Sequence, residues 1–196
     1  MRVGVDFDNT IVRYDDLFHR VALERNLIPR DLPADKSAVR DFLRGIGKED
    51  DWTEMQGYVY GERMVTDARP FPGVREFFLR CHDEGIPTCI ISHKTHHPYR
   101  GERYDLHKAA RAWLAHHSFD AEPFFELTKA DKLARIGAEK CTHFIDDLPE
   151  FLGEPDFPQG VRRILFDPND RYEVSPPLVK QTSWAGVLAA ILASKM

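Results

Sequence analysis

Short apolar segments alternate with segments of helical periodicity along most of this chain, and this alternation limits the fold more than any other feature. The apolar segments have the length of buried strands and lie at 2–7, 87–92, 142–146 and 162–166. Apolar residues at helical spacing indicate helices at 74–85, 106–114, 129–136 and 184–194. Strands that alternate with helices favour a parallel sheet covered on both faces, so the sequence predicts a doubly wound α/β fold.

The segment 13–69 has a different character, because strand signals vanish there and helical periodicity takes over. Two amphipathic helices and a third helical stretch are predicted in it, with Gly57 and Gly61 as weak points of the third. The prolines of RPFPG, at 69–73, end the segment. We therefore predict a small all-helical insert at 13–69 within an α/β core made of residues 1–12 and 70–196.

Charge and composition argue against several classes of partner. The formal net charge is −5, which gives no electrostatic basis for bulk binding to nucleic acid or to an anionic membrane. No apolar stretch reaches the length of a membrane span, and the first residues run directly into a strand without the pattern of a signal peptide. Cys81, Cys89 and Cys141 are best explained as buried free thiols. We therefore expect a cytoplasmic protein, while the sequence carries no signal for its oligomeric state.

Acidic and polar side chains follow the predicted strands where these strands end. Asp6 and Asp8 follow the first strand in DFDNT, Ser92 ends the second, and Asp146 and Asp147 end a later one. The carboxyl ends of parallel strands meet at one edge of the sheet, where ligands bind in such folds. Carboxylates close together repel and lose hydration. A structural role explains such a pair poorly, whereas a bound cation explains it well, and so does a nucleophile paired with a proton donor. Oxygen ligands of this kind suit Mg²⁺ together with an anionic substrate.

The order of these residues resembles the motifs of the haloacid dehalogenase-like (HAD) superfamily. DFDNT, IIS ending at Ser92, Lys129, and IDD ending at Asp147 occur in the order of that superfamily's four motifs. The insert at 13–69, between the first two motifs, is similar in position to the helical C1-type cap of the superfamily. The resemblance implies a Rossmannoid core and a Mg²⁺-dependent phosphatase. Such an enzyme hydrolyses a small phosphorylated metabolite through an aspartyl-phosphate intermediate.

The resemblance also implies a role for each motif residue. Asp6 would be the nucleophile, and Asp8 would be the general acid for the leaving oxygen and then the base for water. The presence of Asp8 argues for phosphoryl chemistry, because members that act on carbon–halogen bonds lack it. Lys129 would neutralise charge between the phosphate and the nucleophile. The Mg²⁺ ligands would come from Asp6, the main-chain carbonyl of Asp8, Asp146 and Asp147.

The identity of the lysine is open between two positions. Lys129 and Lys132 are three residues apart and lie on the same face of the predicted helix. We favour Lys129, because it stands at the start of the helix, where Thr128 can act as the cap. Lys132 remains the alternative.

Further residues are expected to contact the substrate. Ser92 would donate a hydrogen bond to a phosphoryl oxygen, and Thr10 would orient the motif loop. Asn9 and Thr10 of this loop are also expected at the substrate. The segment 93–106 is long for a connection between a strand and a helix, which favours a functional role. Its cationic side chains would grip an anionic leaving group, and they are His93, Lys94, Arg100 and Arg103. The alternative is a solvated loop whose arginines pair with nearby acids such as Glu102 and Asp105.

Other functions are consistent with the same motifs. A 5′-nucleotidase-like phosphohydrolase would need aromatic residues that stack on a base, and Trp52, Tyr58 and Tyr60 are available, although core packing explains them equally well. A phosphotransferase would pass the phosphoryl group to an alcohol instead of water. A protein of another class, a catalytically idle HAD fold that serves as a binding or regulatory module, is disfavoured because every motif residue is present.

Overall fold

The structure, a computed structural model, describes residues 1–194. Its strands are β1 (Val3–Val5), β2 (Val12–Arg13), β3 (Arg69–Pro70), β4 (Thr88–His93), β5 (Glu122–Glu126), β6 (His143–Asp146), β7 (Arg162–Phe166) and β8 (Leu178–Gln181). Its α-helices are α1 (Asp15–Glu24), α2 (Lys36–Gly45), α3 (Glu49–Tyr58), α4 (Met64–Asp67), α5 (Val74–Asp83), α6 (Leu106–His116), α7 (Lys129–Ala138), α8 (Pro149–Leu152) and α9 (Trp184–Ala193). A π-helical segment, Val59–Arg63, joins α3 to α4.

Six of these strands form one parallel sheet in the order β5-β4-β1-β6-β7-β8. Helices cover both of its faces, as two consecutive residues of β7 show. Leu165 lies in an apolar cluster with Ile136 of α7 and Phe151 of α8. The ring of Phe166 lies 5.2 Å from that of Trp184 of α9, and consecutive strand residues point to opposite faces. The predicted doubly wound α/β fold is confirmed.

Two strands of the sheet, β5 and β8, were not predicted. They lie at its two edges, and none of their residues is fully buried. An edge strand is covered less than a central one and needs fewer apolar residues, so EPFFE and LVKQ carry no long apolar run. The strands β5 and β8 were therefore missed in the sequence because the edges of the sheet are only partly buried.

The chain divides into two compact units. The first unit contains residues 1–12, 70–94 and the described residues from 119 onward, and the second contains 13–69 and 95–118. The second unit therefore includes 95–118, which the sequence analysis assigned to the core.

Close packing explains why the segment 95–118 groups with 13–69. In α6, the indole nitrogen of Trp113 donates a hydrogen bond to the carbonyl of Ala68 at 3.0 Å. Gly57 and Gly61 let the two segments approach closely, because a Cβ atom added at Gly61 would lie 2.2 Å from Tyr104. The glycines that were predicted as weak points of a helix are thus contact points for a distant segment.

Across residues 1–194, the helices are too short or too polar to cross a bilayer.

Candidate active site

The candidate site lies where the strand order changes direction, between β1 and β6. From β1 the chain continues to β4 and β5 on one side of the sheet, and then to β6, β7 and β8 on the other. Asp6 directly follows β1 and Asp146 ends β6. The backbone amide of Asp6 donates to the carbonyl of Ile145 at 2.8 Å, which holds the two strand ends together. In open α/β sheets, ligands bind at this switch point.

A tight turn after β1 shapes the loop that carries the motif DFDNT. Asn9 adopts a φ of 57°, a left-handed conformation that asparagine tolerates better than most residues. The amides of Ile11 and Val12 donate back to the carbonyl of Phe7 at 3.0 and 3.1 Å. The turn brings the buried hydroxyl of Thr10 to 3.5 Å from Asp6. Asn9 therefore has a conformational role here, and its contact with substrate stays a prediction.

The lysine in the site is Lys132, and the preference for Lys129 is corrected. The Nζ atom of Lys132 lies 2.7 Å from Asp6 Oδ1 and 2.6 Å from Asp146 Oδ2, and its side chain is only 4% exposed. Lys129 is exposed, and its Nζ atom lies 4.0 Å from the carboxylate of Glu154.

The depth at which each turn of α7 is buried is the physical reason for this correction. Thr128 caps α7 as predicted, since its hydroxyl accepts a hydrogen bond from the amide of Asp131 at 3.0 Å. The buried residues of α7 are Lys132 and Ile136, which stand four residues apart on one face. Lys129 precedes them by one turn, beyond the buried part of that face. The cap was predicted correctly, but the depth at which each turn enters the core depends on packing against the sheet.

Charge is unbalanced in this buried group, because one ammonium faces two carboxylates. Burial alone would lower the pKa of Lys132, but Asp146 and Asp6 raise it more strongly, and the net shift is upward. Burial raises the pKa of Asp146 to about 7, and Asp6 adds to this shift while Lys132 opposes it. The two shifts have different main causes, the two carboxylates for Lys132 and burial for Asp146, but two carboxylates beside one ammonium leave an excess of negative charge that a further cation would relieve.

Three acidic residues lie close enough together to act as ligands of one metal ion. Carboxylate oxygens of Asp6, Asp146 and Asp147 lie within 4.8 Å of one another. The amide of Leu148 donates to Asp146 Oδ1 at 3.0 Å, and the hydroxyl of Thr10 lies 3.4 Å from Asp147 Oδ1, so both side chains are oriented. A site made only of oxygen donors, with excess negative charge, fits Mg²⁺.

Asp8 lies outside this cluster of carboxylates and pairs with Lys94. The Nζ atom of Lys94 lies 2.7 Å from Asp8 Oδ2 and 3.1 Å from Oδ1. Lys94 was predicted to be among the cations that would hold a leaving group, and its pair with Asp8 was not predicted. The contact joins residues that are 86 positions apart, so no local pattern could have indicated it. The metal contact predicted for Asp8 involves its main-chain carbonyl and stays a prediction.

Two further predicted residues lie at the end of β4. Ser92 is buried, in register with Phe125 of β5, so its hydroxyl is at the carboxyl end of the strand as expected. His93 is exposed, and its Nε2 atom lies 3.0 Å from the carbonyl of Leu127. Contact of either residue with a phosphoryl group stays a prediction.

The two arginines of the segment 93–106 belong to the second unit, whereas the acidic cluster belongs to the first. The guanidinium of Arg100 lies 3.0 Å from the carboxylate of Asp50, and both side chains are largely exposed. Arg103 is exposed as well. Arg100 thus makes the ion pair typical of a solvated loop, with Asp50 in place of the acids suggested above, and its contact with substrate stays a prediction.

Comparisons with known proteins identify the fold. No protein-family model and no curated protein matches the sequence. Among solved structures, a HAD family hydrolase from Deinococcus radiodurans R1 with bound phosphate and sodium has a TM-score of 0.61 at 14% identity, over 99% of this chain and 96% of its own. A HAD-superfamily hydrolase from Ehrlichia chaffeensis has a TM-score of 0.59 at 11% identity, over 100% of this chain and 97% of its own.

A third structure extends the comparison. A predicted phosphoglycolate phosphatase from Haemophilus somnus has a TM-score of 0.51 at 15% identity, over 97% of this chain and 97% of its own. At such low identity these similarities establish the fold and not the activity. The chain has the fold of HAD-superfamily hydrolases, and the resemblance drawn from its motifs is confirmed at that level.

Proposed function

We propose that the protein is a Mg²⁺-dependent phosphatase that hydrolyses a small phosphorylated metabolite through an aspartyl-phosphate intermediate. The observation that carries this proposal is the contact of the buried ammonium of Lys132 with both Asp6 and Asp146 at the switch point of the sheet. Phosphoryl transfer is mostly a matter of positioning and charge stabilisation. A nucleophile, a cation and an oxygen cluster for a metal supply both.

The proposed reaction has two steps. A carboxylate oxygen of Asp6 attacks phosphorus, and the bond to the leaving oxygen breaks as that oxygen takes a proton from Asp8. Asp8 then removes a proton from water, which attacks the aspartyl-phosphate, releases phosphate and restores Asp6. Lys132 stabilises the charge of the transferring group beside Asp6 in both steps.

The metal would supply charge neutralisation. Asp6, Asp146, Asp147 and the main-chain carbonyl of Asp8 are the proposed ligands, and bound Mg²⁺ would offset the negative charge of the phosphoryl oxygens. Phosphate and sodium are bound in the Deinococcus radiodurans hydrolase, which supports the proposal that a protein of this fold can bind phosphate and a cation. The described cysteines, Cys81, Cys89 and Cys141, are buried free thiols, which favours a reducing compartment such as the cytoplasm.

The rival functions receive less support. Trp52 is buried against Phe18, with ring centroids 5.1 Å apart, and Tyr60 packs on Phe18 at 5.5 Å. Arg25 stacks on Tyr58 at 4.3 Å. These contacts explain the aromatic residues without a nucleobase. An idle binding module would not need a lysine buried between two carboxylates, because such a charge costs free energy to bury.

A substrate panel with metal control tests the proposal. The purified protein is assayed for phosphate release from p-nitrophenyl phosphate and from sugar, carboxylic acid and nucleoside phosphates, with Mg²⁺ or with excess EDTA. We expect turnover with Mg²⁺, its loss in EDTA and its return when Mg²⁺ is added in excess. Undiminished turnover in EDTA contradicts the metal assignment, and no turnover on any substrate contradicts the function. Addition of an alcohol as acceptor distinguishes a phosphotransferase, which would form a new phosphate ester.

A further inference from the structure

The contact between Lys94 and Asp8 has a geometry that suggests a role in the reaction. One ammonium holds both oxygens of the Asp8 carboxylate, at 2.7 and 3.1 Å. A proton donor must meet the reacting oxygen at hydrogen-bond distance and in a suitable direction. We propose that Lys94 is a positioning residue that fixes the Asp8 carboxylate for proton transfer, and this inference rests on the proposed function.

The surroundings of Lys94 hold its side chain in place. Its backbone amide donates to the carbonyl of Glu126 in β5 at 2.8 Å, which anchors the residue just beyond the end of β4. Its side chain is only 3% exposed, and its Nζ atom lies 5.5 Å from the centroid of the Phe7 ring. These contacts restrict the rotamers of the Lys94 side chain, so its ammonium group stays in one position relative to the carboxylate of Asp8.

Stability alone explains the pair poorly. Burying an ammonium costs free energy, and an apolar residue of similar volume is often at least as stabilising. The side chain of Asp8 keeps 22% of its surface exposed, so water could solvate this carboxylate without a buried partner. The ion pair therefore serves the orientation of Asp8 better than it serves the fold.

The contact between Lys94 and Asp8 is similar to the contact between Lys132 and Asp6, the proposed nucleophile. Lys132, from α7, contacts Asp6, and Lys94, from the segment after β4, contacts Asp8. Each carboxylate of the motif loop is thus held by a lysine from a different part of the chain. Because the two aspartates have different proposed tasks, the removal of each lysine has a different kinetic signature.

The test uses Lys94→Met, which removes the charge and keeps the side-chain length. A poor leaving group depends on protonation more than a good one does, so we compare an alkyl phosphate from the panel with p-nitrophenyl phosphate. We expect kcat/KM to fall about 10- to 100-fold for the alkyl ester, through kcat, and by less than about threefold for the aryl ester. Lys108→Met, at an exposed position of α6, is the control and should change neither value.

A double-mutant cycle with Asp8→Asn separates positioning from direct binding. If Lys94 acts through Asp8, Lys94→Met should add almost nothing to the loss caused by Asp8→Asn. If Lys94 contacts the substrate itself, the two losses should multiply and KM should rise. Lys94→Gln, which is shorter and polar, serves as the second variant if Lys94→Met does not fold, and the same pattern is expected.

Several outcomes overturn the inference while the proposed function stands. Equal losses on alkyl and aryl esters, multiplicative losses in the cycle, or wild-type kinetics in Lys94→Met would each do so. A wild-type protein that turns over no substrate of the panel overturns the proposed function, and the inference falls with it. The two failures are therefore distinguishable by the wild-type assay.

Discussion

The two units of the molecule differ in their least exposed ion pairs, although both also have partly exposed ones. In the first unit, Lys132 and Lys94 are almost fully buried, and each contacts an aspartate of the motif loop. In the second unit, the ion pairs are partly exposed, as where Arg63 bridges Glu24 and Asp67, both at 2.6 Å.

This difference indicates which charged residues are candidates for a functional role. Partly exposed ion pairs contribute little to stability and are common on protein surfaces. A buried ion pair has a desolvation cost that its attraction often fails to offset, so it is poor evidence of stabilisation. Groups buried at such a cost, at the switch point of a sheet, are candidates for a functional site. On this view, variants of the buried lysines and aspartates of the first unit should change activity, whereas variants of the partly exposed ion pairs of the second unit should change stability.

The largest effect is expected for Asp6→Asn. The variant lacks the nucleophile, so turnover should fall by about 10³-fold or more, as for loss of other nucleophiles. The same change removes one of the two carboxylates around Lys132 and should leave the melting temperature unchanged or raised. Steady-state kinetics and a thermal melt check both parts. A folded variant with more than a tenth of wild-type turnover would remove Asp6 from the proposed role.

The second-largest loss of turnover is expected for a variant of Lys132, whereas the same change at Lys129 of the same helix should have little effect. Lys132→Met removes the ammonium beside Asp6 and Asp146 and should lower kcat by about 10²- to 10³-fold, as for a lost electrostatic stabiliser. Lys129→Met is the matched control on the same helix and should stay within about twofold of wild type, as most surface changes do. Circular dichroism verifies that both variants fold. The reverse ranking would restore Lys129 as the residue at the phosphate.

The smallest effect is expected in the second unit, for Arg63→Met. Its hydrogen bonds lower the pKa of Glu24 and of Asp67 below their ordinary values. A carboxylate whose pKa is lower in the folded protein than in the unfolded chain stabilises the fold at pH values above its pKa in the unfolded chain. This stabilisation is lost as the pH falls through the pKa of the carboxylate in the folded protein. We expect a loss of about 1 kcal/mol in the free energy of unfolding at pH 7.

Denaturant titrations at pH 7 and pH 3 measure this effect. The difference between wild type and Arg63→Met should shrink at the lower pH, while phosphatase activity at pH 7 stays close to that of wild type. Arg75→Met, at an exposed position of α5, is the control and should change stability at neither pH. A large loss of activity in a stable Arg63→Met protein would break the contrast between the units.

The sequence by itself determined the acidic side of the site. Asp6 follows one apolar strand, and Asp146 and Ser92 lie at the carboxyl ends of two others. In a parallel sheet these ends meet at one edge, so the convergence of the three residues follows from local patterns. The N-cap of α7 at Thr128 could also be predicted from the sequence, because capping depends on residues three positions apart.

Only the tertiary structure decided which cations complete the site. The choice of Lys132 over Lys129 depends on how deeply each turn of α7 enters the core, and the sequence pattern allowed both. The contact between Lys94 and Asp8 spans 86 residues, and the grouping of 95–118 with 13–69 depends on close approach at Gly57 and Gly61. Hydrophobic periodicity reports which face of an element is buried, but it carries no information about which distant side chain that face meets.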